Sequence, residues 1–104
     1  MLLYDQALTL AETWVRVVCR GRAEILKDRV LKKPYGWVFF YQSSAYLKSG
    51  LISDCLVGNS PIVVDRQSKE IRVMGTARPV DEYLAEYESS LSPACLQAGL
   101  PSAP

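Results

Sequence analysis

Trp37-Val38-Phe39-Phe40-Tyr41 is the stretch whose reading decides the fold. Aromatic and β-branched side chains in an unbroken run favour a strand. Alternation along that strand sends Trp37, Phe39 and Tyr41 to one face, and Val38 and Phe40 to the other. Because both faces are apolar, the strand is expected at the centre of a sheet that is covered on both sides. Directly before it stands Lys32-Lys33-Pro34-Tyr35-Gly36. Proline fixes φ and glycine permits positive φ, so this segment reads as a turn.

Upstream, Ala23 to Val30 alternates weakly and carries charge, the composition of an edge strand that discourages stray pairing. Further upstream, Tyr4, Leu8, Ala11, Val15 and Val18 recur at helical spacing, with Ala7, Leu10 and Trp14 on the adjoining stripe. A helix is predicted from Asp5 to Cys19, capped by Asp5 and ended by Gly21. Downstream, Ser43 to Ser60 is a connection with a short helical turn around Ala45 to Lys48, closed by a tight turn at Gly58-Asn59-Ser60-Pro61. Ile62-Val63-Val64 is a second apolar strand. Asp65-Arg66-Gln67-Ser68-Lys69 forms a hairpin loop, and Glu70 to Met74 returns with Ile71 and Val73 towards the core and Glu70 and Arg72 towards water. Pro79 suits a first helical position, Asp81 and Glu82 favour the positive end of the dipole, and Val80, Tyr83, Leu84, Tyr87 and Leu91 form one apolar stripe.

The expected architecture is therefore α+β, a four-stranded antiparallel sheet with an N-terminal and a C-terminal helix in the order α-β-β-β-β-α. One domain is expected over residues 1–91, followed by a loose, Pro-rich C-terminal tail over 92–104. With 104 residues, 49% of them hydrophobic, the chain has the size and composition of a single folded domain.

Composition also restricts function. Twelve basic residues nearly cancel eleven acidic ones, so the overall basic excess expected of a nucleic-acid binder is missing. The charge is nevertheless uneven: Arg20, Arg22, Lys27, Arg29, Lys32 and Lys33 cluster in one segment, and Asp81, Glu82, Glu86 and Glu88 in another. Such blocks are solvated faces or surfaces that steer an oppositely charged partner. No run of about 18 apolar residues exists to span a membrane. The start lacks the basic, apolar and small-residue regions of a signal peptide. Cys19, Cys55 and Cys95 are odd in number and widely spaced, which fits free thiols in a reducing, cytoplasmic setting.

Histidine is absent. Its absence removes the commonest general base and the commonest metal ligand. No phosphate-cradling glycine motif occurs, and the acids fall at turns or outward helix positions. We therefore expect no catalysis, no cofactor, no metal, and no nucleic-acid or membrane partner. The aromatic strand could stack bases, as RNA-binding sheets do, but core packing explains it better; a partly covered face meeting a protein is the third possibility. Thr76 and Arg78 serve as turn and cap, or as binding residues at a strand end, and Asp65 and Arg66 either organise the hairpin or are displayed on it.

Several stretches in order resemble a known family. These are Pro34 to Tyr41, Tyr46-Leu47, Leu56 to Pro61, Val63 to Arg66, Gly75-Thr76-Ala77-Arg78-Pro79, and Tyr83-Leu84 with Tyr87. Together they resemble the YrhB-like domain, also described as the immunity protein 35 family of bacterial polymorphic-toxin systems, over about residues 5 to 91. One departure is Ser68-Lys69, where family hairpins often carry Gly, which leaves the turn type open. The resemblance implies a cytoplasmic antitoxin-like protein that binds a cognate protein toxin. The alternative it implies is a small chaperone-like protein that shields apolar segments of clients. It brings no established contact residues. Partner contacts are expected instead from Tyr35, Asp65, Arg66 and Arg78 on loops around the central strands, with Trp37 added if its face is an interface.

Overall fold

The computed structural model describes residues 2–51, 53, 60–75 and 78–91. The first helix, α1, runs over Tyr4–Val18, one residue earlier than the pattern suggests. Asp5 lies inside the first turn and does not cap it. Gln6 closes the helix start instead, its side-chain oxygen accepting the Leu3 N–H at 2.9 Å. The chain leaves the helix through Arg20 and Gly21, both at positive φ. Ala7, Ala11 and Val15 form the buried stripe; two of the three are alanines, so the helix can lie close to what it covers.

The segment expected as one edge strand is two. β1 (Ala23–Ile25) is followed by a 3-10 turn at Lys27–Arg29 and then β2 (Leu31–Lys33). The aromatic run divides in step, into β3 (Gly36–Phe39) and β4 (Tyr41–Ser43). β1 pairs antiparallel with β4, and β2 with β3, while the Leu26 N–H donates to the Phe40 carbonyl at 2.8 Å between the two pairings. The break has a physical sense. A 15-residue helix is about 22 Å long and outruns a four-residue strand, so the β1–β4 ribbon continues the covered surface. Trp14 meets Tyr41 there, edge to face, with ring centroids 5.9 Å apart.

Side-chain alternation survives the break. Trp37, Phe39 and Tyr41 join Ala7, Ala11 and Val15 in one core cluster, and Val38 joins Tyr35, Val63, Met74 and Leu84 in another. Phe40 is only partly buried against that second cluster.

After β4 comes α2 (Ser44–Ser49), the helical turn expected there, capped by Ser43 and closed by Gly50 at positive φ. β5 (Ile62–Asp65) and β6 (Ile71–Val73) complete a four-stranded antiparallel sheet in the order β2-β3-β5-β6. Lys69 turns the hairpin between them with φ at +65°, a conformation glycine adopts more readily. α3 (Val80–Ser89) packs Leu84, Val80, Tyr83 and Tyr87 onto the sheet face opposite α1. The sheet is thus covered on both sides, as its apolar centre demands.

The α+β class and the antiparallel four-stranded sheet are as predicted; the two-stranded ribbon is additional. Val73 is a correction. The register sets it opposite Ile62, on the α1 side, but β6 is an outer strand and Val73 is 53% exposed. Thr76, Cys55, Cys95, the start of the Gly58–Pro61 turn and the 92–104 tail lie outside the described residues. No helix among the described residues is long and apolar enough to cross a membrane.

Candidate binding surface

The loop between β2 and β3 and the loop between β5 and β6 meet at one end of the sheet. Gly36 stands opposite Asp65, and the Arg66 N–H donates to the Tyr35 carbonyl at 2.8 Å. The Leu2 N–H in turn donates to the Arg66 carbonyl at 2.7 Å, so the N-terminal segment is tied to this end. Tyr35, Asp65 and Arg66 are therefore neighbours, as the loop placement suggests.

Asp65 organises the hairpin. One of its oxygens accepts the N–H groups of Gln67 (2.8 Å) and Ser68 (2.9 Å), and the other accepts the Tyr87 hydroxyl from α3 (2.8 Å). Burial alone would raise the Asp65 pKa. Hydrogen bonds to the charged form from Ser68, Tyr87 and Gln67 outweigh it and hold the carboxyl below its ordinary value. The Tyr87 ring packs edge-on to Tyr35 at 5.1 Å, and the Tyr35 hydroxyl donates to Glu88 at 2.9 Å. Burial first, then the neighbouring carboxylates, push both phenols well above the usual tyrosine range. At neutral pH they are protonated donors and not nucleophiles. Their chemistry is structural: they fasten α3 to the sheet end.

The other two predicted residues sit elsewhere. Trp37 follows on β3, points to the α1 side and has no exposed surface. Arg78 lies just before α3 with its side chain 43% exposed; its guanidinium stands 2.6 Å from Glu86 and 3.9 Å from Glu82, and 4.5 Å over the Tyr83 ring. Tyr35, Asp65 and Arg66 are themselves at most 7% exposed. The residues missed by sequence reasoning are Tyr87 and Glu88. Tyr87 reads as part of an apolar stripe, and nothing local shows that its hydroxyl reaches a hairpin carboxylate. Cys19 is half-buried, and burial raises its thiol pKa. Among the described residues, no three His, Cys, Asp or Glu side chains converge as a metal site would require.

Asp65 makes the stability of the fold depend on pH. Its folded pKa lies below its unfolded one, so its contribution is present above the unfolded value near 3.9 and is lost as pH falls through the folded value. The unfolding midpoint should drop in acid, and Asp65→Asn should flatten that drop. Asp65→Ala removes the acceptor for three donors and should cost about 2–3 kcal/mol at neutral pH, read by urea titration.

These features define a small α+β domain whose polar groups at one sheet end hydrogen-bond to one another across two loops and a helix. The chain belongs to the immunity protein 35 family, whose model matches residues 5–90. It is also 42% identical over 53 residues to an uncharacterized protein, YrhB, of Escherichia coli (strain K12). That match covers 51% of this chain and 56% of the relative, about half of each. No solved structure matches the chain.

Proposed function

We propose that the chain is an immunity protein that binds and neutralises a cognate bacterial toxin in the cytoplasm, stoichiometrically and without turnover. Membership of the immunity protein 35 family carries this reading. A sequence without histidine is consistent with it. In this proposal Arg78 meets the partner directly, because its side chain is the most accessible of the five expected contacts. Tyr35, Asp65 and Arg66 act by shaping the loop end, and Trp37 by holding β3 beneath α1.

Co-expression with a toxin encoded by the neighbouring gene is the test. Rescue of growth and a co-purifying complex are expected; failure of both would defeat the reading. Arg78→Ala should weaken that complex while leaving the unfolding midpoint nearly unchanged, since exposed ion pairs add little to stability. The chaperone-like alternative draws on the exposed Leu3, Val17, Val18 and Leu51. It requires that the protein suppress aggregation of several unrelated clients.

A further inference from the structure

The four-stranded sheet has two outer strands, and they differ in how they discourage further pairing. β2 presents Lys32 and Lys33, and charge of one sign on an outer strand opposes addition of another strand. β6 carries a single charge, Arg72, which is paired with Glu70. Its ladder with β5 extends beyond the three strand residues: the Asp65 N–H donates to the Glu70 carbonyl at 2.9 Å, and the Met74 N–H to the Pro61 carbonyl at 2.8 Å. Arg72 stands opposite Val63 between those pairs. Hydrogen-bonded positions alternate in an antiparallel pair. Glu70, Arg72 and Met74 thus turn their backbone groups towards β5, and Ile71 and Val73 turn theirs to the outer side, where no further strand pairs among the described residues.

The two sides of that edge differ chemically. On the α1 side the exposed Val73 is apolar. On the α3 side lies a cleft of about 510 Å³ lined by Asp65, Glu70, Arg72 and Tyr87. Its one guanidinium, Arg72, is already paired with Glu70, so the Asp65 carboxylate leaves the cleft with excess negative charge.

We propose that the outer edge of β6 receives an extended segment of the partner protein as an added antiparallel strand, with apolar side chains over Val73 and basic side chains over the cleft. The proposal rests on reading the chain as a protein binder and specifies how it binds. Main-chain bonds to Ile71 and Val73 supply affinity, and the alternating side chains supply selectivity. A second copy of this chain is the competing occupant. The register that pairs Ile71 of one copy with Val73 of the other sets Arg72 against Arg72, which is destabilising, but the register that pairs Ile71 with Ile71 sets Arg72 against Glu70. A concentration-dependent dimer that Val73→Pro abolishes would overturn the proposal.

The test uses the full chain and a short peptide of alternating lysine and valine, with its glutamate–valine counterpart as control. Amide exchange in the free protein should be faster at Ile71 and Val73 than at Arg72, and the lysine peptide should slow it at both positions. Val73→Pro removes an outward N–H but no bond to β5, so the fold should persist. Affinity for the peptide should fall at least about tenfold with loss of that edge. Val73→Lys, which places a charge on the edge without altering the backbone, should weaken binding similarly and serves if the proline variant does not fold. Protected Ile71 and Val73 amides in the free chain, no peptide binding, equal binding of the glutamate peptide, or binding unaffected by both variants would each overturn the proposal. The two readings fail separately. A toxin complex indifferent to both variants sinks the edge and leaves immunity intact; peptide capture by a chain that protects no cell does the reverse.

Discussion

Trp37→Ala is expected to lower the unfolding free energy by about 3–5 kcal/mol, the range for emptying a large, fully buried aromatic site. Trp37 is 0% exposed and lies in the cluster formed by Ala7, Ala11, Val15, Phe39 and Val64. Val64 stands opposite it on β5 and Lys32 on β2, so it lies within the paired centre of the sheet. The Tyr4 ring meets the indole edge to face, with centroids 6.0 Å apart. The alanines at positions 7 and 11 are what let α1 approach so closely, and they are too small to refill the site. A cavity is therefore expected, and cavities add to the transfer cost. Urea denaturation with a constant m-value checks it. A loss below about 1 kcal/mol, with loss of partner binding, would mean that the indole is available to a partner in solution. Phe40→Ala is the natural comparison. Phe40 falls between β3 and β4 and is only partly buried, with the Arg29 guanidinium 5.1 Å from its ring centre. Its truncation should cost less, about 1–3 kcal/mol.

The contrast between Trp37 and Phe40 shows what is legible in the sequence. Period-two alternation assigns Trp37, Phe39 and Tyr41 to one face whatever their partners, and that assignment holds across both strands. The change of partner at Phe40 has no local signal. It depends on Ala23–Ile25 and Leu31–Lys33 belonging to different ribbons, which is decided by pairing across the chain. Val73 fails for a related reason: alternation gives its side of the sheet correctly, but exposure depends on where α1 ends laterally. At the loop end, the turn chemistry of Asp65 is readable, because an aspartate at a hairpin accepts the next N–H groups of its own turn. Its third bond is not, because the Tyr87 hydroxyl arrives from a helix whose docking the sequence does not specify.

Gly36 is the other position where a single change should be severe. It sits at φ +153° directly after the Pro34-Tyr35 turn and opposite Asp65. A Cβ there would overlap the Val64 carbonyl oxygen, with the Val64 carbonyl carbon at 3.0 Å and the Arg66 nitrogen at 3.1 Å. All three are backbone atoms of the neighbouring segment and cannot rotate away. Relief requires β3 and β5 to separate where the Arg66 N–H bonds the Tyr35 carbonyl, the contact that joins the two loops. Overpacking costs about 1–3 kcal/mol and a forced glycine conformation about 1–3 kcal/mol more, so Gly36→Ala should destabilise by about 2–6 kcal/mol. Gly50→Ala is the comparison without a steric clash. Gly50 also has positive φ, +70°, but a Cβ there would meet nothing within 4 Å. It should show the conformational cost alone, of about 1 kcal/mol. Thermal unfolding of the two variants side by side reads the difference, which is the steric part together with any greater conformational cost at φ +153°. Equal losses would mean that β3 and β5 yield at this end without cost, and that the loops bearing Tyr35, Asp65 and Arg66 are less firmly joined than their hydrogen bonds indicate.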